Sequence, residues 1–346
     1  MRQYPADRIR TVGVFGHGSA GKTSLVEALL FDTKATTRLG RVEEGNTVTD
    51  FDADEIKRRI SVSAAIAPVE WRETKINLID TPGYADFVGE VESTLRVSDG
   101  AILVLDAAAG VEVGAEQAWR MIGERGIPKL IFVNKMDRDN ADFDRVLESC
   151  RAAFGKSVGP IQFPVGQARE FRGIVDLLSE QAHCYAGNGD GVSETVPVPD
   201  ELAAECETYR RQLVEAIAEH NEALMIRYLE DDPISSEELR AELTNCVRDG
   251  AVVPVLCGSA LGNRGMQPLL DALVDFLPSA ADTEATGTLA GEPVALQAAG
   301  DRPLVALAFK TMADPHVGRV TFLRVYSGTL RSNSHAVNAA RREPER

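Results

Sequence analysis

The stretch Gly16-His17-Gly18-Ser19-Ala20-Gly21-Lys22-Thr23 decides the fold of this chain. It fits the pattern G-x-x-x-x-G-K-[ST] and lies between an apolar run, residues 11–15, and a helical run, residues 24–30. Glycines in such a loop let successive N–H groups face phosphate oxygens, while the lysine reaches the terminal phosphates and the threonine hydroxyl binds Mg²⁺. We therefore predict a phosphate-binding loop in which Lys22 and Thr23 have these roles and Ser24 lies at the start of the following helix.

The same stretch also fits G-x-G-x-x-G through its three glycines, which is typical of a dinucleotide-binding turn. That turn has no use for the pair Lys22-Thr23. It also requires an acidic residue at the end of a second strand about twenty residues later, whereas Glu43 and Glu44 lie in a polar, glycine-flanked stretch. The phosphate-binding loop is therefore the favoured interpretation.

Short apolar runs recur along the chain with helical patterns between them, at residues 11–15, 76–79, 101–105, 130–133 and 252–256. Near-continuous Val, Ile and Leu indicates strands covered on both faces, as in the parallel sheet of an α/β fold. In a doubly wound sheet the ligand binds beyond the carboxyl ends of the strands. The fold class predicted is thus α/β, with a doubly wound, mostly parallel sheet and a site at that edge.

A second motif, Asp80-Thr81-Pro82-Gly83, follows the run 76–79. An acid at that strand end can hold Mg²⁺ through a water molecule, and the Gly83 N–H can meet the γ phosphate. Taken alone, the tetrapeptide is equally compatible with an ordinary β-turn.

A third motif, Asn134-Lys135-Met136-Asp137, follows the run 130–133. The Asp137 carboxylate can accept from guanine N1–H and the exocyclic amine, Asn134 can brace the loop, and the Lys135 stem can cover the ring face. Adenine offers no matching pair of donors, so the buried carboxylate would reject it. A solvated loop of mixed charge is the alternative for this tetrapeptide taken singly.

A fourth cluster, Gly258-Ser259-Ala260-Leu261, follows the last run of the sheet. Small residues there let a backbone N–H approach guanine O6. By itself this cluster carries little information, and its weight comes from its place on the same sheet edge as the other three.

Together these four loops resemble the guanine-binding loops of translational GTPases, and most of all those of elongation factor G. Further likeness lies in residues 40–45 (GRVEEG), in Arg58-Arg59-Ile60-Ser61, and in the two runs 307–311 and 314–328. The resemblance implies a P-loop GTPase domain, GTP or GDP and Mg²⁺ as cofactors, the ribosome as partner, a cytoplasmic location, and GTP hydrolysis coupled to translocation. A slow or non-hydrolysing guanine-nucleotide switch, or a ribosome-protection or release-factor-type GTPase, remains the alternative.

Three positions depart from the family pattern. Ser61 stands where the family has threonine, and its hydroxyl can still complete the Mg²⁺ coordination. Tyr84 replaces the histidine that orients the attacking water, and because a phenol cannot carry the positive charge of an imidazolium we expect slow hydrolysis. Ser19 stands where the family often has aspartate, which puts a monovalent-cation site in doubt. The catalytic set carried over is Lys22, Ser61, Gly83 and Tyr84.

Residues 155–250 form a long insertion between the base-reading loops, predicted to be an α+β subdomain. It contains the glycine-rich turn 187–191 and a helical stretch, residues 200–220. The acids of that helix fall mostly away from its apolar face, at Glu201, Glu205, Glu207, Glu215 and Glu219. A solvated face is the plain interpretation; the resemblance adds contact with a ribosomal stalk protein as a second one.

The bulk properties exclude several classes. The net charge of -16 argues against a basic surface that would hold nucleic acid by itself, so no sequence-specific nucleic-acid binding is expected. Five cysteines form no C-x-x-C pair, which fits a reducing cytosol. No apolar run is long enough to span a bilayer, so we expect neither membrane insertion nor secretion.

Other acidic and histidine patterns lack metal-site spacing. Asp50, Asp52 and Asp54 begin like a calcium loop, but Glu55 and Ser61 occupy the positions that need Gly and Glu.

The domain boundaries expected from the sequence are a GTP-binding domain at 8–280, a linker at 281–300, and a truncated antiparallel β-barrel at 301–346.

Overall fold

The computed structural model describes residues 2–187, 189–230, 232–314 and 317–345. The strands in these ranges are β1 (Ile9–Gly16), β2 (Ala65–Trp71), β3 (Thr74–Asp80), β4 (Gly100–Asp106), β5 (Lys129–Asn134), β6 (Val158–Pro160), β7 (Gln162–Val165), β8 (Gly173–Asp176), β9 (Gln181–Tyr185), β10 (Ser193–Pro197), β11 (Val253–Cys257), β12 (Ala285–Leu289), β13 (Glu292–Leu296), β14 (Val305–Asp314), β15 (Gly318–Ser327), β16 (Ala336–Asn338) and β17 (Glu343–Glu345).

The α-helices of the same ranges are α1 (Lys22–Asp32), α2 (Ala53–Arg58), α3 (Val88–Leu95), α4 (Val113–Glu124), α5 (Phe143–Phe154), α6 (Ala203–Ala218), α7 (Glu222–Leu229), α8 (Ser236–Arg248) and α9 (Met266–Phe276). Short 3-10 turns lie at Ala6–Arg8, Val42–Glu44, Ala85–Phe87, Ala168–Glu170 and Asp200–Leu202.

The main sheet has the strand order β2-β3-β1-β4-β5-β11-β6. The pairs β1–β4, β4–β5, β5–β11 and β11–β6 are parallel, and β2 returns antiparallel to β3 through a tight turn. Strand β4 is buried along its whole length, as continuous apolar runs predict for a sheet covered on both faces. The predicted doubly wound, mostly parallel α/β sheet is confirmed. Four of the five predicted runs lie within its strands, and the run 252–256 begins one residue before β11.

The hydrophobic core fills the space between this sheet and its helices. Phe132 of β5 and Leu29 of α1 are fully buried there, and burial of a side chain of this size contributes about 2–3 kcal/mol. The register is parallel across the centre, with Val14 beside Ile102 and Ile102 beside Leu130. The carboxyl ends of β1, β4, β5 and β11 therefore meet at one edge, where their following loops lie close together.

The insertion folds as an antiparallel sheet, in the order β10-β9-β8-β7, with the helices α6, α7 and α8 after it. Strand β6 was expected to belong to the insertion, which was predicted to begin at residue 155. In the structure β6 pairs with β11 instead and extends the main sheet. The predicted glycine turn joins β9 to β10, and its Asn188 lies outside the described residues. The helix predicted at 200–220 is a 3-10 turn followed by α6, with Leu213 and Ile217 on its buried face.

The chain divides into two compact units, residues 10–277 and residues 1–9 with 278–346. In the second unit, β12 and β13 form a hairpin inside the stretch that was expected to be a linker. Strands β14 and β15 pair antiparallel, as do β16 and β17, so the described part of this unit consists of two-stranded sheets. Pro315 and His316, which belong to the run that carried the resemblance, lie outside the described residues.

Among the described residues, no helix is both long enough and apolar enough to cross a membrane.

Candidate nucleotide-binding site

The phosphate-loop residues 16–23 join β1 to α1, as the motif predicts. Gly21 has a φ of 96°, which favours glycine, and a Cβ atom there would collide with the Asn134 side-chain amide. The Lys22 ammonium donates to the carbonyls of Gly16 at 3.0 Å and His17 at 2.8 Å. Burial lowers the pKa of Lys22 to about 8, while the nearby Asp80 carboxylate opposes that shift.

Gly83 lies against the phosphate loop. A Cβ atom on Gly83 would overlap the Lys22 ammonium and would lie 2.7 Å from the Gly18 amide nitrogen. Only a glycine allows this close approach, and it brings the loop after β3 into contact with the loop after β1. The motif D-T-P-G therefore packs against the phosphate loop, which an ordinary surface β-turn does not require.

The three predicted metal residues come together beside the start of α1. The Thr23 hydroxyl donates to Asp80 Oδ2 at 2.7 Å and lies 3.0 Å from the Ser61 hydroxyl. Asp50 is a fourth member that the sequence reasoning missed, because it was considered only as part of a rejected calcium loop. Its carboxylate is buried and lies close to both Ser61 and Lys22.

The donor set at this point fits Mg²⁺. Burial raises the pKa of both Asp50 and Asp80, and Asp50 Oδ2 and Asp80 Oδ1 are buried without a hydrogen-bond partner among the described residues. All of these groups are hard oxygen donors, which Mg²⁺ prefers, and Mg²⁺ usually takes only one or two carboxylates from the protein. Within the described ranges, no group of three or more His, Cys, Asp and Glu side chains is arranged to hold a metal ion by itself.

Three buried or half-buried carboxylates hold the segment 47–64 in place. Glu27 of α1 accepts from the amides of Val48 at 2.7 Å and Thr49 at 3.3 Å. Glu55 of α2 accepts from the Val62 and Ser63 amides, and Glu90 of α3 accepts from the Ala64 amide. The position of Ser61 beside Thr23 thus depends on acids from three helices.

Tyr84 lies over the phosphate loop. A Cβ atom on Gly18 would come within 3.1 Å of the Tyr84 ring, so the phenol covers the Gly18 backbone. The side chain is 43% exposed, which leaves its ring accessible to solvent on the other face. This is the position at which the family resemblance implies a histidine that orients water.

The base-reading loops are joined by Asn134. Its Nδ2 donates to the Ala20 carbonyl at 3.1 Å, and its Oδ1 accepts from the Ala260 amide at 3.0 Å. Asn134 therefore ties the phosphate loop to the loop after β11, and its role in bracing a guanine-binding loop stays a prediction.

Lys135 is fixed by a residue that the sequence reasoning missed. Its ammonium donates to Asp106 Oδ2 at 2.8 Å and to the Ser19 carbonyl. Although burial opposes it, the Lys135 ammonium holds the pKa of Asp106 below its ordinary value. One feature of the sequence could have identified Asp106: it lies at the carboxyl end of β4, on the same sheet edge as the motifs.

The remaining predicted residues lie around the same opening. Asp137 is exposed, and its Oδ2 lies 3.5 Å from where a Cβ on Gly262 would be. Ser259 and Ala260 are buried, whereas Leu261 is exposed. His17 accepts from the Gly114 amide through Nδ1, and Ser24 is half-buried in the first turn of α1.

Family models and solved structures match this chain over most of its length. Residues 7–279 match the family model of the elongation factor Tu GTP binding domain, and residues 303–346 match that of elongation factor G domain 2. A crystal structure of a protein from Thermus thermophilus is similar at 35% identity with a TM-score of 0.84, over 95% of this chain and 47% of its own. The chain thus spans about half the length of this solved relative.

Proposed function

This chain belongs to the translational GTPases of the elongation factor G type, and from that premise we propose that it binds GTP with Mg²⁺ and hydrolyses it to GDP and phosphate. The observation that supports this most is the joining of the phosphate and base loops through Asn134, together with the meeting of Thr23, Ser61 and Asp80. We therefore propose that one opening binds both the phosphates and the base.

In the proposed mechanism the chain's own groups position charge. Backbone amides of residues 16–23 and the Lys22 ammonium face the β and γ phosphates, and the Gly83 amide meets the γ phosphate. Thr23, Ser61 and, through water, Asp80 would hold Mg²⁺, which supplies neutralisation of the developing phosphate charge. Tyr84 hydrogen-bonds the attacking water.

Guanine selection is assigned to Asp137, with Lys135 covering the ring and the Ala260 region facing O6. A carboxylate at position 137 accepts from two donors on the edge of guanine, N1–H and the exocyclic amine. An asparagine there has one acceptor and one donor group to offer, which suits xanthine, because xanthine has a carbonyl at C2 in place of the amine. Asp137→Asn is therefore expected to lower GDP affinity by about a hundredfold, at about 1–3 kcal/mol for each hydrogen bond, and to favour xanthine nucleotides.

The test is a titration of the purified chain into a fluorescent GDP analogue with Mg²⁺, in competition with GTP, ATP and xanthosine triphosphate. We expect competition by GTP and not by ATP, and a shift of preference towards xanthosine triphosphate in Asp137→Asn. Asp139→Asn is the matched control, because Asp139 is exposed in the same loop and pairs with Arg169. Equal competition by ATP and GTP would refute guanine selection.

A slow or non-hydrolysing switch is the second candidate. It is favoured by the Tyr84 ring over Gly18, since a phenol there cannot become cationic as the reaction proceeds. Single-turnover hydrolysis with and without ribosomes separates the two: phosphate release in either condition supports the enzyme, and none in both supports the switch.

Ribosome binding, a cytoplasmic location and a part in translocation are further proposals, which follow from the family and not from the geometry of the site. A ribosome-protection or release-factor role is the alternative within the same family. Contact between the acidic stretch around α6 and a ribosomal stalk protein is a further proposal. Two acids of this stretch already have internal partners: Glu215 of α6 accepts from the Tyr228 hydroxyl, and Glu201, in the turn before α6, pairs with Arg172. Charge reversal at Glu207 and Glu219 should lower ribosome-stimulated turnover; unchanged turnover would count against the stalk contact.

A further inference from the structure

The turn 259–264 after β11, which carries the residues proposed to face guanine O6, is closed on itself. Ser259 and Arg264 exchange two backbone hydrogen bonds at 2.9 Å, and the Ser259 hydroxyl accepts from the Gly262 amide at 3.0 Å. On the side facing the nucleotide, the Ala260 amide is held by Asn134. The turn is therefore a small rigid unit whose position depends on what holds its outer side.

Asn263 holds that outer side. Its Nδ2 donates to Asp32 Oδ1, at the end of α1, at 2.7 Å and to the Gly189 carbonyl, in the loop between β9 and β10, at 3.3 Å. Asn263 is 1% exposed and has a φ of 50°. Helix α1 begins at the phosphate-binding Lys22 and ends at Asp32, so one helix connects the phosphate end of the site to this contact.

Gly191 closes the contact from the insertion. Its φ is 76°, and a Cβ atom there would lie 2.7 Å from Asn263 Nδ2 and would overlap Asp32 Oδ1. A side chain at position 191 would therefore push the loop away from the pair. Asp32, Asn263 and Gly191 come from three separate stretches of chain and pack on one another.

We propose that Asn263, held by Asp32 and by the loop of Gly189 and Gly191, is a positioning residue that sets how long the guanine nucleotide stays bound. The inference rests on the proposed function. It assigns to the inserted sheet a task in nucleotide retention, because the loop of the insertion holds the turn that faces the base.

The contact is also sensitive to acid. Asp32 faces Asp190 of the insertion loop and the Tyr185 hydroxyl of β9, besides Asn263. Burial, with the Asp190 charge, raises the pKa of Asp32 to about 6 against the bond from Asn263. An amide donates more strongly to a carboxylate than to a neutral carboxyl, so the contact weakens as the pH falls through about 6.

The experiment measures dissociation of a fluorescent GDP analogue from the full chain by stopped flow at about pH 7.5 and about pH 5.5, on either side of the raised Asp32 pKa. Asn263→Gly keeps the backbone conformation and removes the amide, and it should speed dissociation about tenfold at the higher pH, as expected for a hydrogen bond to a charged group. The unmodified chain should release faster at the lower pH. Asp32→Asn should show a smaller change between the two pH values, and the change that remains belongs to other groups such as Asp80.

Gly191→Ala and Gly126→Ala form a matched pair of backbone controls. Both glycines have positive φ, but a Cβ at Gly126 meets nothing within 4 Å, so only Gly191→Ala should speed release. This inference alone is overturned if Asn263→Gly releases the analogue at the rate of the unmodified chain and Asp32→Asn keeps the pH dependence of the unmodified chain. Failure of the unmodified chain to bind the analogue at all would overturn the proposed function, and this inference with it.

Discussion

Asp80 is buried beside Asp50, and one of its carboxylate oxygens has no hydrogen-bond partner in the described part of the chain. Burial raises its pKa to about 7, well above the value of about 3.9 in an unfolded chain. A raised carboxyl pKa means that the folded state holds a proton that the unfolded state releases. The contribution of this one carboxyl to the stability is therefore fully present below about pH 4 and is lost as the pH rises towards about 7.

Asp80→Asn should accordingly stabilise the protein when Mg²⁺ and nucleotide are removed. We expect a gain in the free energy of unfolding of about 1–2 kcal/mol at about pH 8 and a smaller gain at about pH 5, because the asparagine still accepts from Thr23 but carries no charge. Urea unfolding in EDTA at the two pH values measures this. The same change should weaken Mg²⁺-dependent GTP binding, and a gain independent of pH would contradict the electrostatic account.

Tyr84 is the second residue at which a single substitution tests the proposed chemistry, here the hydrolysis step. Tyr84→His should raise single-turnover phosphate release at least about tenfold, since a positioned imidazole supplies acid–base catalysis that typically contributes about a hundredfold or more. Tyr84→Phe is the control: it keeps the ring over Gly18 and removes the hydroxyl, and it should lower the rate. A histidine variant no faster than the parent would show that position 84 does not limit the reaction.

At the level of elements, the sequence predicted five of the seven strands of the main sheet and the motif loops that follow four of them. Each motif is local: a strand, a turn and a helix start determine it within a short stretch of chain, so periodicity and turn chemistry suffice. Asp106, Glu27 and Asp32 were missed for the opposite reason. Their partners lie 29, 21 and 231 residues away, and no local pattern reports a contact of that kind.

The segment 47–64 shows what such distant contacts do. Glu27→Ala should release the Val48 and Thr49 amides from α1, at a cost of about 2 kcal/mol for the lost charged hydrogen bonds. Hydrogen exchange at these two amides should accelerate, and affinity for GTP with Mg²⁺ should fall with it. Glu27→Gln keeps the acceptor and should stay close to the parent; Glu70→Ala, at an exposed site, is the matched control for charge.

For the whole molecule, the proposed nucleotide site lies within one of the two units. All predicted site residues lie between Gly16 and Leu261, within residues 10–277. That unit is closed at its ends by Arg10, whose guanidinium donates to the carbonyls of Leu277 at 3.0 Å and Val274 at 2.8 Å. The side chain thus ties the strand before the phosphate loop to the end of α9.

A variant shortened after Thr283 should therefore keep the nucleotide site. The cut leaves intact the turn in which Asp282 accepts from the Ser279 amide and hydroxyl. We expect its Kd for the fluorescent GDP analogue to stay within about twofold of the full chain, because no proposed ligand contact is removed.

Asp137→Asn in the shortened variant should weaken that binding as much as it does in the full chain, and Arg10→Ala should lower its free energy of unfolding by about 2 kcal/mol. If the shortened variant unfolds cooperatively but binds no nucleotide, residues outside 10–277 take part in the site.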